Sequence, residues 1–95
     1  MSGSALGFVE TRGNTGAVHA LDAMLKTANV EFVKRIEVGG AYVAVLVRGE
    51  VGAVRSSVEA GADAAGKVGE LASVNIIPSA HEDVFNLIGI AKEGK

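Results

Sequence analysis

The sequence predicts an α+β fold, a ferredoxin-like βαββαβ sandwich closed by a short C-terminal helix. Three observations carry this. Short apolar runs at Ala5–Thr11, Val30–Val38, Ala41–Val47 and Leu71–Pro78 have the length and composition of strands. Two longer segments between them repeat apolar residues at helical spacing. The second and third runs meet at Gly39-Gly40, a hairpin signal, because tight hairpin turns need positive φ. The resulting split β-α-β order makes one mostly antiparallel sheet with the helices on one face.

Residues 1–4 read as a flexible lead. The first strand carries Phe8 and Val9 and is broken by Arg12-Gly13-Asn14. Ala17, Val18, Leu21, Met24, Leu25 and Ala28 then form one stripe of a helix over Thr15–Ala28. In the second strand Val30, Phe32, Ile36 and Val38 alternate with Glu31, Arg35 and Glu37, which predicts a half-buried strand with Lys34 out of pattern. The third strand is apolar at every position, as in strands covered on both sides.

A second helix starts near Glu50 with Val51, Val54, Val58, Ala62 and Ala65 on one stripe. Its internal Gly61 and Gly66 each cost about 1 kcal/mol against alanine, which predicts close approach of another backbone. After the fourth strand, Ser79 and Glu82 have the spacing of a capping box, and Val84, Phe85, Leu87 and Ile88 make a short apolar helix ended by Gly89. Residues 1–95 make one domain, with 89–95 as a tail. The pattern Arg-Gly-x-x-Gly-Ala-Val occurs at Arg12–Val18 and again at Arg48–Val54, each time where a strand turns into a helix.

Composition excludes several classes. With aromatics at 4 % and a net charge of −2, the chain lacks the basic patch and stacking residues of a nucleic-acid binder. It has no cysteine, which removes disulfides, thiolate catalysis and Cys-based metal sites. Its start does not resemble a signal peptide and no apolar run is long enough to span a membrane, so a cytoplasmic protein is expected. The repeated glycine turn is neither a P-loop nor a dinucleotide fingerprint and reads as a structural turn used twice. His19 and His81 sit in no metal-ligand spacing, so neither a metal nor any other cofactor is expected. Ser56-Ser57 lacks an elbow motif, and Glu82-Asp83 suits a helix N-terminus. No catalytic constellation emerges. Lys26 and Asn29 read locally as a solvated lysine near a helix C-terminus and a C-cap.

Four blocks of the chain resemble the single-domain, hexamer-forming shell proteins of bacterial microcompartments (the BMC domain). They are Ala5-Leu6-Gly7-Phe8-Val9-Glu10-Thr11-Arg12-Gly13, Leu21-Asp22-Ala23-Met24-Leu25-Lys26-Thr27-Ala28-Asn29-Val30, Val45-Leu46-Val47-Arg48-Gly49-Glu50-Val51-Gly52-Ala53-Val54, and Ile76-Ile77-Pro78 with His81-Glu82-Asp83-Val84. The resemblance implies a flat homohexamer that tiles with neighbouring hexamers and other shell proteins around metabolic enzymes in the cytoplasm. It implies a pore on the six-fold axis lined by Glu37, Val38, Gly39, Gly40 and Ala41, through which small metabolites pass. It places Lys26, Asn29, Pro78, Ser79 and His81 at the hexamer edge. Terminal helices of cargo enzymes could dock on the Val84–Ile88 cluster.

Three positions depart from the family's habit. Gly39-Gly40-Ala41 stands where Gly-Ser-Gly is common, which implies a slightly wider opening lined by backbone amides. Ser79 stands where Arg is common. Glu37 replaces a usual Lys, partly offset by Arg35, so the pore should disfavour anions and suit neutral or cationic metabolites. A small-molecule-sensing ferredoxin-like module, binding a ligand at a subunit interface, is the alternative reading.

Overall fold

The alternating and helical periodicities resolve into six elements in a computed structural model that describes residues 5–79. They are β1 (Ala5–Arg12), α1 (Asn14–Thr27), β2 (Val30–Gly39), β3 (Tyr42–Gly49), α2 (Val51–Val68) and β4 (Glu70–Ile77). The order is the expected βαββαβ, with boundaries within two residues of those read from the sequence. The strands form one antiparallel sheet, β2-β3-β1-β4, with β2 and β4 at its edges. The C-terminal helix, its capping box and His81 lie outside the described residues.

Register decides which residues meet the helices. Val9 pairs with Val45, Gly7 with Val47 and Thr11 with Val43. The valines of this face join Ala17, Ala20, Met24, Val54, Val58 and Ala65 in one core. The opposite face of the central strands is also buried in part, because Leu6 and Leu46 are inaccessible to solvent. Val43–Val47 is therefore buried on both faces, as its unbroken apolar run implies.

The layers are thin because the contacts are made by small residues. A Cβ at Gly61 would lie 2.6 Å from Cγ of Met24 and 3.3 Å from the Ala20 carbonyl, so α1 and α2 touch there. A Cβ at Gly7 would lie 2.6 Å from Val58, which seats α2 on β1. Gly66 is different: nothing lies within 4 Å of its would-be Cβ, and the close approach expected there is absent among the described residues. The α1 stripe also needs correction. Gly16, Ala17, Ala20 and Met24 are buried, whereas Val18 and Leu25 are 54 % and 42 % exposed. Close helix contact selects for small side chains and turns the larger ones to the flank.

The alternation of β2 is broken twice. Phe32 pairs with Val47 but Lys34 pairs with Leu46, so Val33 is an extra residue in a bulge. Val30 and Phe32 face the helix side, while Lys34 and Ile36 face the other side. The four apolar positions do not share one face, and the misfit of Lys34 is the local trace of the bulge. A second irregularity follows at Val38, before Gly39 pairs with Tyr42.

The two Arg-Gly-x-x-Gly-Ala-Val turns both lead from strand to helix but work differently. Gly13, at φ 94, is itself the N-cap of α1 and makes no side-chain cap bond. In the second copy Glu50 is the N-cap, and its carboxylate accepts from the amides of Gly52 and Ala53 at 3.0 and 3.2 Å. That carboxylate occupies the place a phosphate would take.

The glycine environments predict opposite responses to one substitution. Gly66→Ala should stabilise by about 1 kcal/mol through helix propensity alone. Gly61→Ala should destabilise, because overpacking costs about 1–3 kcal/mol and outweighs that gain. Thermal melts of both variants check this; a rise for Gly61→Ala would mean that α1 and α2 are not in contact at Met24.

Candidate functional site

Antiparallel pairing gathers Arg12, Gly39, Tyr42 and Glu70 at one end of the sheet. Ala5, Val30, Gly49 and Ile77 lie at or next to the other end. The residues singled out from the sequence divide between these ends.

At the first end stands the β2–β3 hairpin. Because Gly39 pairs with Tyr42, the two turn residues are Gly40 and Ala41, one position later than the Gly39-Gly40 turn expected. Their φ angles are 63 and 71, and Gly39 is at 111. Positive φ at both central residues matches the right-handed twist of the flanking strands. Ala41 is the one non-glycine residue with positive φ among those described. Its carbonyl accepts a hydrogen bond from the Gly13 amide at 2.6 Å, which ties the hairpin to the start of α1.

Charge beside the hairpin is organised by Arg35. Its Nη1 donates to Oε2 of Glu37 at 3.0 Å and its Nη2 to Oδ1 of Asn14 at 2.8 Å. Arg35 and Glu37 pair with Val45 and Val43, so both face the helix side of the sheet. With Asn14, Gly39, Ala41 and Tyr42 they border a depression of about 310 Å³. Val38 lies on the other face, where with Ile36, Phe8 and Asn75 it borders a second depression of about 290 Å³. There Oγ of Ser73 donates to Oε1 of Glu10 at 2.8 Å. Glu37 and Val38 thus serve opposite faces of one hairpin. Arg12 at this end is also paired, 3.8 Å from Glu70.

At the opposite end α1 finishes and β2 begins. Lys26 is exposed and pairs with Asp22 at 3.1 Å, one helical turn earlier. The C-cap is Ala28, in extended conformation, so Asn29 is not the cap but the exposed residue after it. Pro78 and Ser79, both exposed, follow β4. Asn29 leads into one edge strand and Pro78 leaves the other, so three strand spacings of about 4.8 Å separate them across the sheet. The described residues expected at a hexamer edge therefore share one end of the domain without forming one cluster. His81 and the Val84–Ile88 cluster fall outside the described residues.

The described residues hold no group of three or more His, Cys, Asp or Glu suited to a metal ion. Nδ1 of His19 lies 2.9 Å from the carbonyl of Thr15 within α1. Ser57 is fully buried and its hydroxyl has no partner. No helix among the described residues is long and apolar enough to cross a membrane. Asn14 and Tyr42 were not legible as site residues. Asn14 reads as a strand breaker, and only the β2–β3 register brings Arg35 to it.

A family model described as the BMC domain matches residues 5–80. Carboxysome shell protein CsoS1C of Halothiobacillus neapolitanus is 51 % identical over 94 residues, which cover 98 % of this chain and 96 % of that one. Bacterial microcompartment shell protein PduA of Salmonella typhimurium is 49 % identical over 88 residues, 93 % of this chain and 94 % of that one. Among solved structures, a microcompartments protein from Desulfitobacterium hafniense DCB superimposes with a TM-score of 0.79 at 33 % identity over 93 % of this chain. This chain spans about half of that one, 47 %.

Proposed function

Because the chain belongs to the BMC domain family, whose matched relatives are microcompartment shell proteins and not enzymes, we propose that it is a pore-bearing tile of such a shell. Six copies close into a flat ring. The β2–β3 hairpins, with Glu37, Val38, Gly39, Gly40 and Ala41, surround an opening on the axis. Lys26, Asn29, Pro78, Ser79 and His81 lie at the rim, where rings meet each other and other shell proteins in the cytoplasm. Small metabolites cross through the axial opening.

The observation that carries this reading is the polarity of the sheet. The hairpin and the rim residues among those described occupy opposite ends of strands of eight to ten residues. A ring needs that arrangement, with one end at the axis and the other outside.

The edges add support. A cyclic ring joins two different patches of each subunit. On β2, Phe32 is 46 % exposed; on β4, Val74 is 46 % and Leu71 38 % exposed. Exposed apolar side chains on both sheet edges are a liability in a lone subunit and an asset in a ring. The molecule measures 34 × 27 × 18 Å, a flat shape suited to a tile.

The pore mouth is close to neutral. Each Glu37 is held by its own Arg35 at 3.0 Å, so the ring of carboxylates has a matching ring of guanidinium groups. Such a mouth does not draw anions as a ring of lysines would.

Two variants test the proposal. Glu37→Lys should raise the flux of a small anionic probe through assembled sheets; an unchanged flux contradicts the placement of Glu37 at the opening. Gly40→Trp should keep the ring's mass and block transport. A Gly40→Trp ring that still transports would move the hairpin away from the axis; because Trp at φ 63 is strained, a thermal melt accompanies the transport assay.

A further inference from the structure

We propose that the methyl group of Ala41 is the selectivity element of this opening, an apolar collar that passes small uncharged solutes and holds back ions of both signs. The inference rests on the reading that the hairpin lines an axial opening, and it assigns the selectivity to one side chain.

Three observations converge on Ala41. First, the turn is Gly40-Ala41, so Ala41 sits at the tip, and Gly39-Gly40-Ala41 carries a single side-chain carbon. Repeated around an axis, the tip presents backbone and a ring of methyl groups. Second, Ala41 is strained. It holds φ 71, whereas the other positive-φ residues described, Gly13, Gly39 and Gly40, are all glycines. Glycine would adopt this conformation freely. An alanine held in place by the Gly13–Ala41 hydrogen bond is a departure of the kind that clusters at functional positions.

Third, the guanidinium groups beside the tip are both paired. Arg35 pairs with Glu37 at 3.0 Å, and Arg12 with Glu70 at 3.8 Å. The Arg35 guanidinium is also anchored to Asn14 at 2.8 Å. A constriction lined by methyl groups offers an ion nothing in place of its hydration shell, while an uncharged solute loses far less on entering. The pore thus discriminates by hydration and size.

The test uses sheets of the assembled protein across a perforated support between two chambers. Potassium chloride conductance and the passage of polyols of graded size are measured for wild type, Ala41→Gly and Ala41→Asn. Ala41→Gly should melt a few degrees higher, admit larger polyols and conduct ions better. Ala41→Asn keeps a side chain that tolerates positive φ, and should fold, admit only smaller polyols and raise the ratio of ion to polyol passage. If both variants match the wild-type ratio and size limit while the wild type passes polyols, Ala41 is only a turn residue and the proposal is overturned. If wild-type sheets pass neither ions nor polyols, the axial opening itself is refuted.

Discussion

One backbone hydrogen bond, from the Gly13 amide to the Ala41 carbonyl at 2.6 Å, sets the position of the hairpin on which the functional reading depends. Arg12 and Tyr42 are the last residues of β1 and β3 to pair, and this bond carries the ladder one step beyond them. It requires Gly13 at φ 94 on one side and Ala41 at φ 71 on the other. Such a bond contributes about 1 kcal/mol. Its larger consequence is geometric. Gly13 is also the N-cap of α1, and Gly16 and Ala17 in the first turn of that helix are buried. The hairpin tip is therefore tied to the packed part of the domain, and Arg35 adds a second tie through Asn14. A loop lining a narrow opening, as proposed, would need this kind of support.

Smallness governs the rest of the architecture. Gly61 lets α1 and α2 touch, and Gly7 lets α2 rest on β1. The two helices lie flat on one face of the sheet, and the subunit is only 18 Å in its shortest dimension. What such a subunit cannot do is bury its own edges. Phe32, Leu71 and Val74 remain exposed on strands at opposite sides of the sheet, and they are the surfaces a ring of copies would cover.

The element order was legible because strand and helix periodicities differ, and membership of the BMC family was legible in four ordered blocks of residues. The register was not. Val33 looks like any β-branched strand residue, and its bulge follows from how β2 pairs with β3. The hairpin slipped by one residue for a related reason: Gly39-Gly40 and Gly40-Ala41 are both plausible turns, and the choice is made by the Gly39–Tyr42 pair and the bond to Gly13. The buried face of α1 was misjudged because apolarity was counted where closeness mattered. Val18 and Leu25 look like core residues, yet Gly16 and Ala20 occupy the contact. Of the proposed pore residues, Glu37 was expected to bring negative charge, and Arg35 was seen as a partial offset. The anchoring of Arg35 by Asn14 appears only when α1 and β2 are assembled.

The central claim is that copies meet hairpin to hairpin within a ring and at the end of α1 between rings. The chain has no cysteine, so single thiols can report on it cleanly. The deciding measurement is cross-linking of Ala41→Cys and Lys26→Cys proteins with a short bifunctional thiol reagent over a dilution series. The account predicts that Ala41→Cys gives covalent dimers at every dilution, since one thiol per subunit can be joined to only one other, whereas Lys26→Cys dimers form only where sheets form. The reverse pattern, with Lys26 thiols joined in dilute rings and Ala41 thiols never joined, would contradict it.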